Sequence, residues 1–207
     1  MFTGLQVSRA GWSVAHFLAA AGLILAVAVI ELAYRIAFHD ELTGLRGRRA
    51  LQEDLLKLGS PYAVALVDID HFKRFNDRYG HAVGDQVLRM VASRLARVPG
   101  GGRAYRYGGE EFALLFAGHS ARDVLPHLEA VRMAVEGACF VLRGADRPRK
   151  KPDTPKRNGG PRNAVLVTVS IGVAARDERR RRPDQVIRAA DSALYRAKNA
   201  GRNRLRT

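Results

Sequence analysis

Two apolar stretches decide the fold: YAVALVDID at residues 62–70 and RYGGEEFALLF at residues 106–116. The first is a short run rich in branched residues that ends in two aspartates, which is typical of a buried strand. The second contains a Gly-Gly pair between the strand-like segments 103–107 and 111–116. This pattern predicts a β-hairpin whose glycines adopt positive φ angles.

Helical periodicity surrounds these strands. Apolar residues at helical spacing, with Gly, Pro and Ser at the ends, predict helices over residues 48–58, 85–98, 120–137 and 183–201. Residues 139–142 and 165–173 are strand-like. Because strands and helices alternate imperfectly around one hairpin, the sequence predicts an α+β fold with a mixed central sheet flanked by helices.

Composition indicates one globular domain and a leader. The chain has 207 residues, 47% hydrophobic and 27% charged, which excludes wholesale disorder or a fibrous repeat. The single cysteine, Cys139, excludes an internal disulfide and a multi-cysteine metal site, and its apolar neighbours indicate a reducing compartment.

The net charge of +15 raises the question of anionic partners. Residues 143–162 contain eight basic and two acidic side chains, and a second basic cluster covers residues 179–182. No aromatic residues are interleaved with these charges to stack on bases, so solvated basic loops are favoured over a nucleic-acid interface. We expect no specific nucleic-acid partner.

The leader contains an uncharged stretch from Ala10 to Ile30. As a helix it extends about 30 Å, the thickness of a bilayer core. Trp12 and Tyr34 flank it, and four arginines follow it closely, whereas only Arg9 precedes it, so the bulk of the chain is expected inside. Two alternatives stay open: a helix packed against a partner helix, and a cleaved signal peptide ending near residues 26–28.

Acidic residues mark the chemistry of the predicted strand end. Asp68 and Asp70 are two residues apart, so their carboxylates project on one side of an extended strand, as a hard cation such as Mg²⁺ requires. Taken alone they are more often solubilising groups. A second acidic pair, Glu110 and Glu111, follows the Gly-Gly turn and favours the cation hypothesis.

The residues after the strand are suited to a nucleotide. The segment 71–77 supplies backbone amides and cations for phosphates, and Asn76 and Asp85 supply acceptors for the N1–H and amino group of guanine. The alternative for these two side chains is turn and N-cap chemistry around Gly80 and Gly84.

Five motifs resemble, in order, the GGDEF domain of bacterial diguanylate cyclases. They are DELTGLRGRR at 40–49, ALVDIDHFKRFNDRYGHAVGD at 65–85, RYGGEEF at 106–112, VSIGVA at 169–174 and ALYRAKNAGRN at 193–203. The resemblance spans Asp40 to about Arg206 and implies the palm of nucleotidyl cyclases, a ferredoxin-like fold. It also implies a leader at residues 1–39, which anchors the chain in the membrane or pairs with a second copy, and a catalytic domain at residues 40–207.

The resemblance implies a reaction across a homodimer. Each domain holds one GTP, and each 3′-hydroxyl attacks the α-phosphorus of the other nucleotide to give cyclic di-GMP and two pyrophosphates. Asp68, the carbonyl of Ile69 and Glu110 are implied Mg²⁺ ligands, with Glu111 a further one. Glu110 is also the implied acceptor of the 3′-hydroxyl proton, and Lys73 is implied to stabilise the transition state.

The same resemblance implies the substrate contacts. Asn76 and Asp85 correspond to the guanine readers, with His81 a weaker contact, and Lys198 and Arg202 correspond to phosphate-binding cations. Further substrate contacts are assigned to Phe72, Gly108 and Gly109. The implied location is the inner membrane with the catalytic domain in the cytoplasm, or otherwise the cytoplasm.

The sequence departs from the family at one regulatory position. Many members carry an Arg-x-x-Asp product-binding site five residues before the signature glycines, where this chain has Pro99–Gly102. Little inhibition by cyclic di-GMP is therefore expected. A non-catalytic module that binds GTP or cyclic di-GMP stays open as the alternative to an active enzyme.

Overall fold

A computed structural model describes residues 14–138, 140–141 and 164–207, and the chain divides into two compact units after Ala37. Helix α1 covers Val14–Phe38. Within it, residues 15–38 contain an 18-residue window with a mean hydropathy of 2.3 and are long and apolar enough to cross a membrane. The predictions that concern Arg9, Trp12, Cys139 and the basic segment 143–162 lie outside the described residues.

The second unit, Phe38–Thr207, is built on a mixed six-stranded sheet. Its strands are β1 (Arg46–Gly47), β2 (Tyr62–Ile69), β3 (Arg103–Arg106), β4 (Glu111–Ala117), β7 (Val169–Ala175) and β8 (Leu205–Arg206). They lie in the order β1-β3-β4-β2-β7-β8, and β1–β3 and β7–β8 are the parallel pairs. Strands β5 (Phe140–Val141) and β6 (Ala164–Val165) form a separate antiparallel pair.

Five helices cover this sheet. They are α2 (Arg48–Lys57), α3 (Phe72–Tyr79), α4 (His81–Leu95), α5 (Ala121–Glu136) and α6 (Pro183–Asn199). Alternate residues of β2 contribute to two hydrophobic cores: Val67 and Ile69 pack with α3, α4 and α5, whereas Val64 and Leu66 pack with α2 and α6. This alternation aims the side chain of Asp68 toward the face that carries α6.

The α+β prediction is confirmed, and β2 covers the predicted residues. The prediction of a helix after Ser120 is also confirmed, because Ser120 and Asp123 form a capping box. Three local predictions are wrong. The sequence predicts no helix at the position of α3, and α4 begins at His81 rather than at Asp85. The predicted strand 165–173 is divided between β6 and β7.

Candidate active site

The acidic residues from two separate stretches meet at one end of the sheet. Asp68, near the end of β2, lies directly opposite Glu111, the first residue of β4. The backbone N–H of Ile69 donates to the carbonyl of Glu110 over 3.4 Å. Asp68 is only 4% exposed and Glu110 is half-buried, so this acidic cluster of Asp68, Glu110 and Glu111 is largely withdrawn from water.

Burial and mutual repulsion disfavour the charged form of this cluster. The pKa of Asp68 is raised by burial and by Asp70, against the opposing effect of Lys198 and Arg202. The pKa of Glu110 is raised by burial and by the charges of Asp68 and Glu111. The cluster therefore holds more negative charge than the nearby side chains neutralise, and a cation placed there relieves the repulsion.

Helix α6 supplies a cation to this cluster. Lys198, in the last turn of α6, forms an ion pair with Asp68, with 2.8 Å between Nζ and Oδ2. Arg202 follows three residues after the end of α6 and also lowers the pKa of Asp68. The predicted metal ligands and the predicted phosphate-binding cations thus lie at one place.

Arg106 anchors the Gly-Gly turn that carries Glu110. Its guanidinium donates to the carbonyls of Gly108 at 3.2 Å and Gly109 at 2.7 Å, and to Asp40 at 2.9 Å. Burial alone would raise the pKa of Asp40, but hydrogen bonds from Thr43 and Arg106 lower it. No sequence pattern indicates the hydrogen bond between Arg106 and Asp40, although both residues lie within motifs, 106–112 and 40–49.

The predicted reason for glycine in this turn is wrong. Neither Gly108 nor Gly109 is among the described residues with positive φ. A Cβ added at Gly108 would lie 2.9 Å from Oε2 of Glu111, so the absence of a side chain lets the Glu111 carboxylate lie against the turn. Close approach of the Glu111 side chain, and not handedness, is therefore the feature that favours glycine at position 108.

Asp70 does not join the acidic cluster as a ligand. Its carboxylate accepts hydrogen bonds from Thr168 Oγ1 and Ser170 Oγ, each at 2.7 Å, and from the backbone N–H of Asn203 at 3.0 Å. These three donors satisfy both oxygens. The expectation that Asp68 and Asp70 together form a cation-binding pair is therefore wrong, and Asp70 instead ties strand β7 to the loop after α6.

The predicted guanine readers lie on the neighbouring helices α3 and α4. Asn76 has a buried side-chain oxygen without a hydrogen-bond partner among the described residues. A Cβ at Gly84 would lie 1.9 Å from that oxygen, so this glycine makes room for the Asn76 amide. Helix α4 has Gly80 as its N-cap and no side-chain cap, so the turn-and-cap alternative for Asn76 and Asp85 is wrong.

The other predicted contacts differ in exposure. Lys73 and His81 are exposed on α3 and at the start of α4, and no hydrogen bond or ion pair within the described residues joins them to the acidic cluster. The ring of Phe72 is buried in the core at 6% exposure. Only the backbone of Phe72 is thus available to a ligand.

The acidic cluster borders an open cleft of about 350 Å³ on the α6 side. Both Glu111 and Lys198 line it. No group of three or more His, Cys, Asp or Glu side chains forms a complete metal-ligand set in the described part of the chain. One or two of these carboxylates still fit Mg²⁺, since this ion is commonly held by one or two carboxylates with substrate phosphates and water completing the shell.

The mixed six-stranded sheet flanked by helices resembles that of solved GGDEF domains. The chain matches the family described as diguanylate cyclase, GGDEF domain over residues 37–204, and it belongs to that family.

Curated relatives share this domain. The diguanylate cyclase VdcA of Vibrio cholerae is 40% identical over 173 residues, which cover 82% of this chain and 46% of the relative. The response regulator PleD of Caulobacter vibrioides is 35% identical over 182 residues, which cover 84% of this chain and 37% of PleD. The chain thus spans less than half the length of these relatives.

Solved structures show the same fold. The coiled coil and GGDEF domain of DgcB from Caulobacter crescentus, in complex with c-di-GMP, is 34% identical, with a TM-score of 0.78 over 91% of this chain and 94% of that one. The active GGEEF domain of a diguanylate cyclase from Vibrio cholerae is 26% identical, with a TM-score of 0.56 over 77% of this chain and 89% of that one.

Proposed function

We propose that the chain is a diguanylate cyclase that condenses two GTP molecules into cyclic di-GMP and two pyrophosphates. In each half-reaction a ribose 3′-oxygen bonds to the α-phosphorus of the other nucleotide, and the bond from that phosphorus to the pyrophosphate oxygen breaks. The observation that carries the proposal is the convergence of Asp68, Glu110 and Glu111 beside Lys198. Membership of the GGDEF family supports the same reaction.

We assign Mg²⁺ to Asp68, the carbonyl of Ile69 and Glu110, with Glu111 as a further ligand. Oxygen donors of this kind are the ligands that Mg²⁺ prefers. Bound there, the ion supplies Lewis-acid activation of the phosphate and lowers the pKa of the attacking hydroxyl. The excess negative charge of the acidic cluster supports this assignment.

Charged side chains around the cluster take the remaining chemical roles. Glu110 accepts the proton of the 3′-hydroxyl as a general base. Lys198 and Arg202 bind the phosphates, and Lys73 stabilises the charge that develops in the transition state. The backbone of Gly108 and Gly109 approaches the phosphates from the turn.

Guanine is selected on α3 and α4. The unpartnered oxygen of Asn76 and the carboxylate of Asp85 accept from the N1–H and amino group of guanine, with His81 as a weaker contact and the backbone of Phe72 nearby. Adenine has no donor at N1, so it leaves these acceptors unpaired. The position of Asn76 and Asp85 on the consecutive helices α3 and α4 is the structural feature that supports this selectivity.

A homodimer is required because one domain carries one nucleotide, and the attacking hydroxyl comes from the other. Residues 1–39 form a leader that pairs with its counterpart or anchors the protein in the inner membrane, and residues 40–207 form the catalytic domain in the cytoplasm. The long apolar helix α1 supports the anchor. The match to a structure that contains a coiled coil beside its GGDEF domain supports the pairing.

The test is an activity assay on the full chain in detergent, after light scattering has shown a dimer. With GTP and Mg²⁺ we expect cyclic di-GMP and pyrophosphate, no product from ATP, and a loss of about 10³-fold or more for Glu110→Gln. Asp54→Asn, which changes a carboxylate outside the cluster, is the matched control and should retain activity. A dimeric wild type that binds GTP without turnover would overturn the proposal in favour of a non-catalytic binding module.

A further inference from the structure

The loop that carries Arg202 has an unusual backbone. Gly201, Arg202 and Asn203 have φ angles of 107°, 59° and 44°, so three consecutive residues lie at positive φ. For residues with a side chain this conformation is unfavourable, and it persists only where the surroundings hold it. Specific contacts must therefore hold Arg202 and Asn203 in this conformation.

Asn203 is held at three atoms by three different side chains. Its backbone N–H donates to Asp70 at 3.0 Å, its side-chain oxygen accepts from Arg132 at 2.6 Å, and its side-chain nitrogen donates to Glu136 at 2.7 Å. An amide both donates and accepts, which is what the Arg132 and Glu136 pair requires. The hydrogen bonds thus specify asparagine at position 203.

The partners of Asn203 are themselves fixed. Arg132 lies in α5 with a side chain only 13% exposed, and it forms ion pairs of 2.7 Å with both Glu129 and Glu136. Asp70 accepts hydrogen bonds from two hydroxyl groups at the β7 end of the sheet. Asn203 is therefore attached to α5 on one side and to the sheet on the other.

The backbone of Arg202 also forms hydrogen bonds through both its N–H and its carbonyl. Its N–H donates to the carbonyl of Ala197 at 3.1 Å, and its carbonyl accepts from the Arg204 side chain at 2.8 Å. Ala197 is the neighbour of Lys198, whose Nζ lies 2.8 Å from Oδ2 of Asp68, so this hydrogen bond holds Arg202 beside the residue that pairs with the acidic cluster. Moving the backbone at position 203 would move this cation relative to the acidic cluster.

We propose that Asn203, held by Asp70, Arg132 and Glu136, is a positioning residue that fixes the Arg202 guanidinium beside the acidic cluster, where it binds the triphosphate. This inference rests on the proposed function, because it assigns the phosphate contact to Arg202. It adds residues of α5 to the phosphate site, although that helix packs against the opposite face of the sheet from α6.

The test measures binding, so that turnover is not needed. The probe is GTP with a methylene bridge between its α- and β-phosphorus atoms, which the reaction cannot cleave, titrated calorimetrically into the full chain with Mg²⁺. We expect Asn203→Ala to weaken binding about fivefold to tenfold. In an Arg202→Ala background the same substitution should have no further effect, since the cation that it positions is gone.

Three further variants separate positioning from backbone strain. Asn203→Gly accepts positive φ but lacks the amide, so it should bind as weakly as Asn203→Ala. Asn203→Asp places a second carboxylate against Glu136 and should also weaken binding. Combining it with Glu136→Gln restores a donor–acceptor pair and should recover most of the affinity. Glu129→Gln is the matched control in α5, because Glu129 contacts Arg132 without touching Asn203.

Circular dichroism confirms that each variant is folded before it is titrated. The inference is overturned by unchanged affinity in folded Asn203→Ala, by full affinity in Asn203→Gly, or by effects of Asn203→Ala and Arg202→Ala that add. If Asn203→Ala does not fold, the inference is overturned when Glu136→Gln fails to restore affinity to Asn203→Asp. A wild type that does not bind the analogue would overturn the proposed function as well, which distinguishes the two failures.

Discussion

Two buried carboxylates on the same face of the sheet have opposite electrostatic surroundings. Asp54 in α2 is 9% exposed and accepts hydrogen bonds from Arg46, Arg103 and Tyr105. Burial alone would raise its pKa, but the hydrogen bonds of Tyr105 and Arg46 and the charges of both arginines lower it. Asp68 is 4% exposed and its pKa is raised.

The difference distinguishes a structural acid from a binding acid. Two guanidinium groups of the same domain neutralise Asp54, so nothing remains for a ligand to do there. Among the described residues Asp68 forms an ion pair with Lys198, while the charges of Asp70 and Glu110 repel it. Uncompensated charge in a buried site is tolerated where an external cation completes it, as functional sites commonly show.

The largest expected effect contrasts the two acids directly. Asp54→Asn removes the negative charge that pairs with Arg46 and Arg103 and should lower the free energy of unfolding by about 2 kcal/mol, or the Tm by roughly 4–8 °C. Asp68→Asn removes a carboxylate from a repulsive cluster and should change the Tm by about 1 °C or less. Thermal unfolding of the full chain followed by circular dichroism measures both, and equal losses would remove the distinction.

A smaller effect is expected from divalent cations. Mg²⁺ that binds the folded acidic cluster should raise the Tm of the wild type by roughly 3 °C, about 1 kcal/mol, at saturating concentration. Asp54→Asn should retain this increase and Asp68→Asn should lose it. Sodium chloride of matched ionic strength is the control, and an increase that survives in Asp68→Asn would place the cation elsewhere.

The sequence predicted the two strands and the acidic cluster because they depend on local patterns. The apolar run 62–69 predicts a buried strand wherever it lies in the sheet. Glu110 directly follows the Gly-Gly pair, so the hairpin prediction also places it at the end of the sheet. Helix α3 was missed because its eight residues contain three aromatic and four charged side chains, without the long apolar period that marks a helix.

The parts of the site that the sequence did not predict depend on contacts between distant segments. Asp70 and Asn203 are 133 residues apart, and Arg106 and Asp40 are 66 apart. The spacing of apolar residues along the chain does not indicate hydrogen bonds between such distant residues. The same absence of a local signal explains the wrong assignment of Asp70: its spacing from Asp68 predicts a shared cation, but the hydroxyl groups of Thr168 and Ser170 donate to its oxygens.

The smallest expected effect is the pH dependence of stability, which has opposite signs for Glu110 of the acidic cluster and for Asp54. The raised pKa of Glu110 means that the folded chain binds more protons than the unfolded chain at pH values above the ordinary 4.5. Glu110 therefore destabilises the fold increasingly as pH rises through that interval. The lowered pKa of Asp54 means that its stabilisation is present above the ordinary 3.8 and is lost as pH falls through the lowered value.

Differences between variants and wild type isolate these contributions, because all other titrating groups cancel. Glu110→Gln should be more stable than the wild type at pH 7, by less than about 1 kcal/mol, and the advantage should disappear near pH 4, where Glu110 is protonated. The deficit of Asp54→Asn should instead narrow only below about pH 4. If both difference curves changed in the same direction over the same pH interval, the pKa values of Glu110 and Asp54 would be shifted in the same direction. The argument that the acidic cluster binds a cation would then fail.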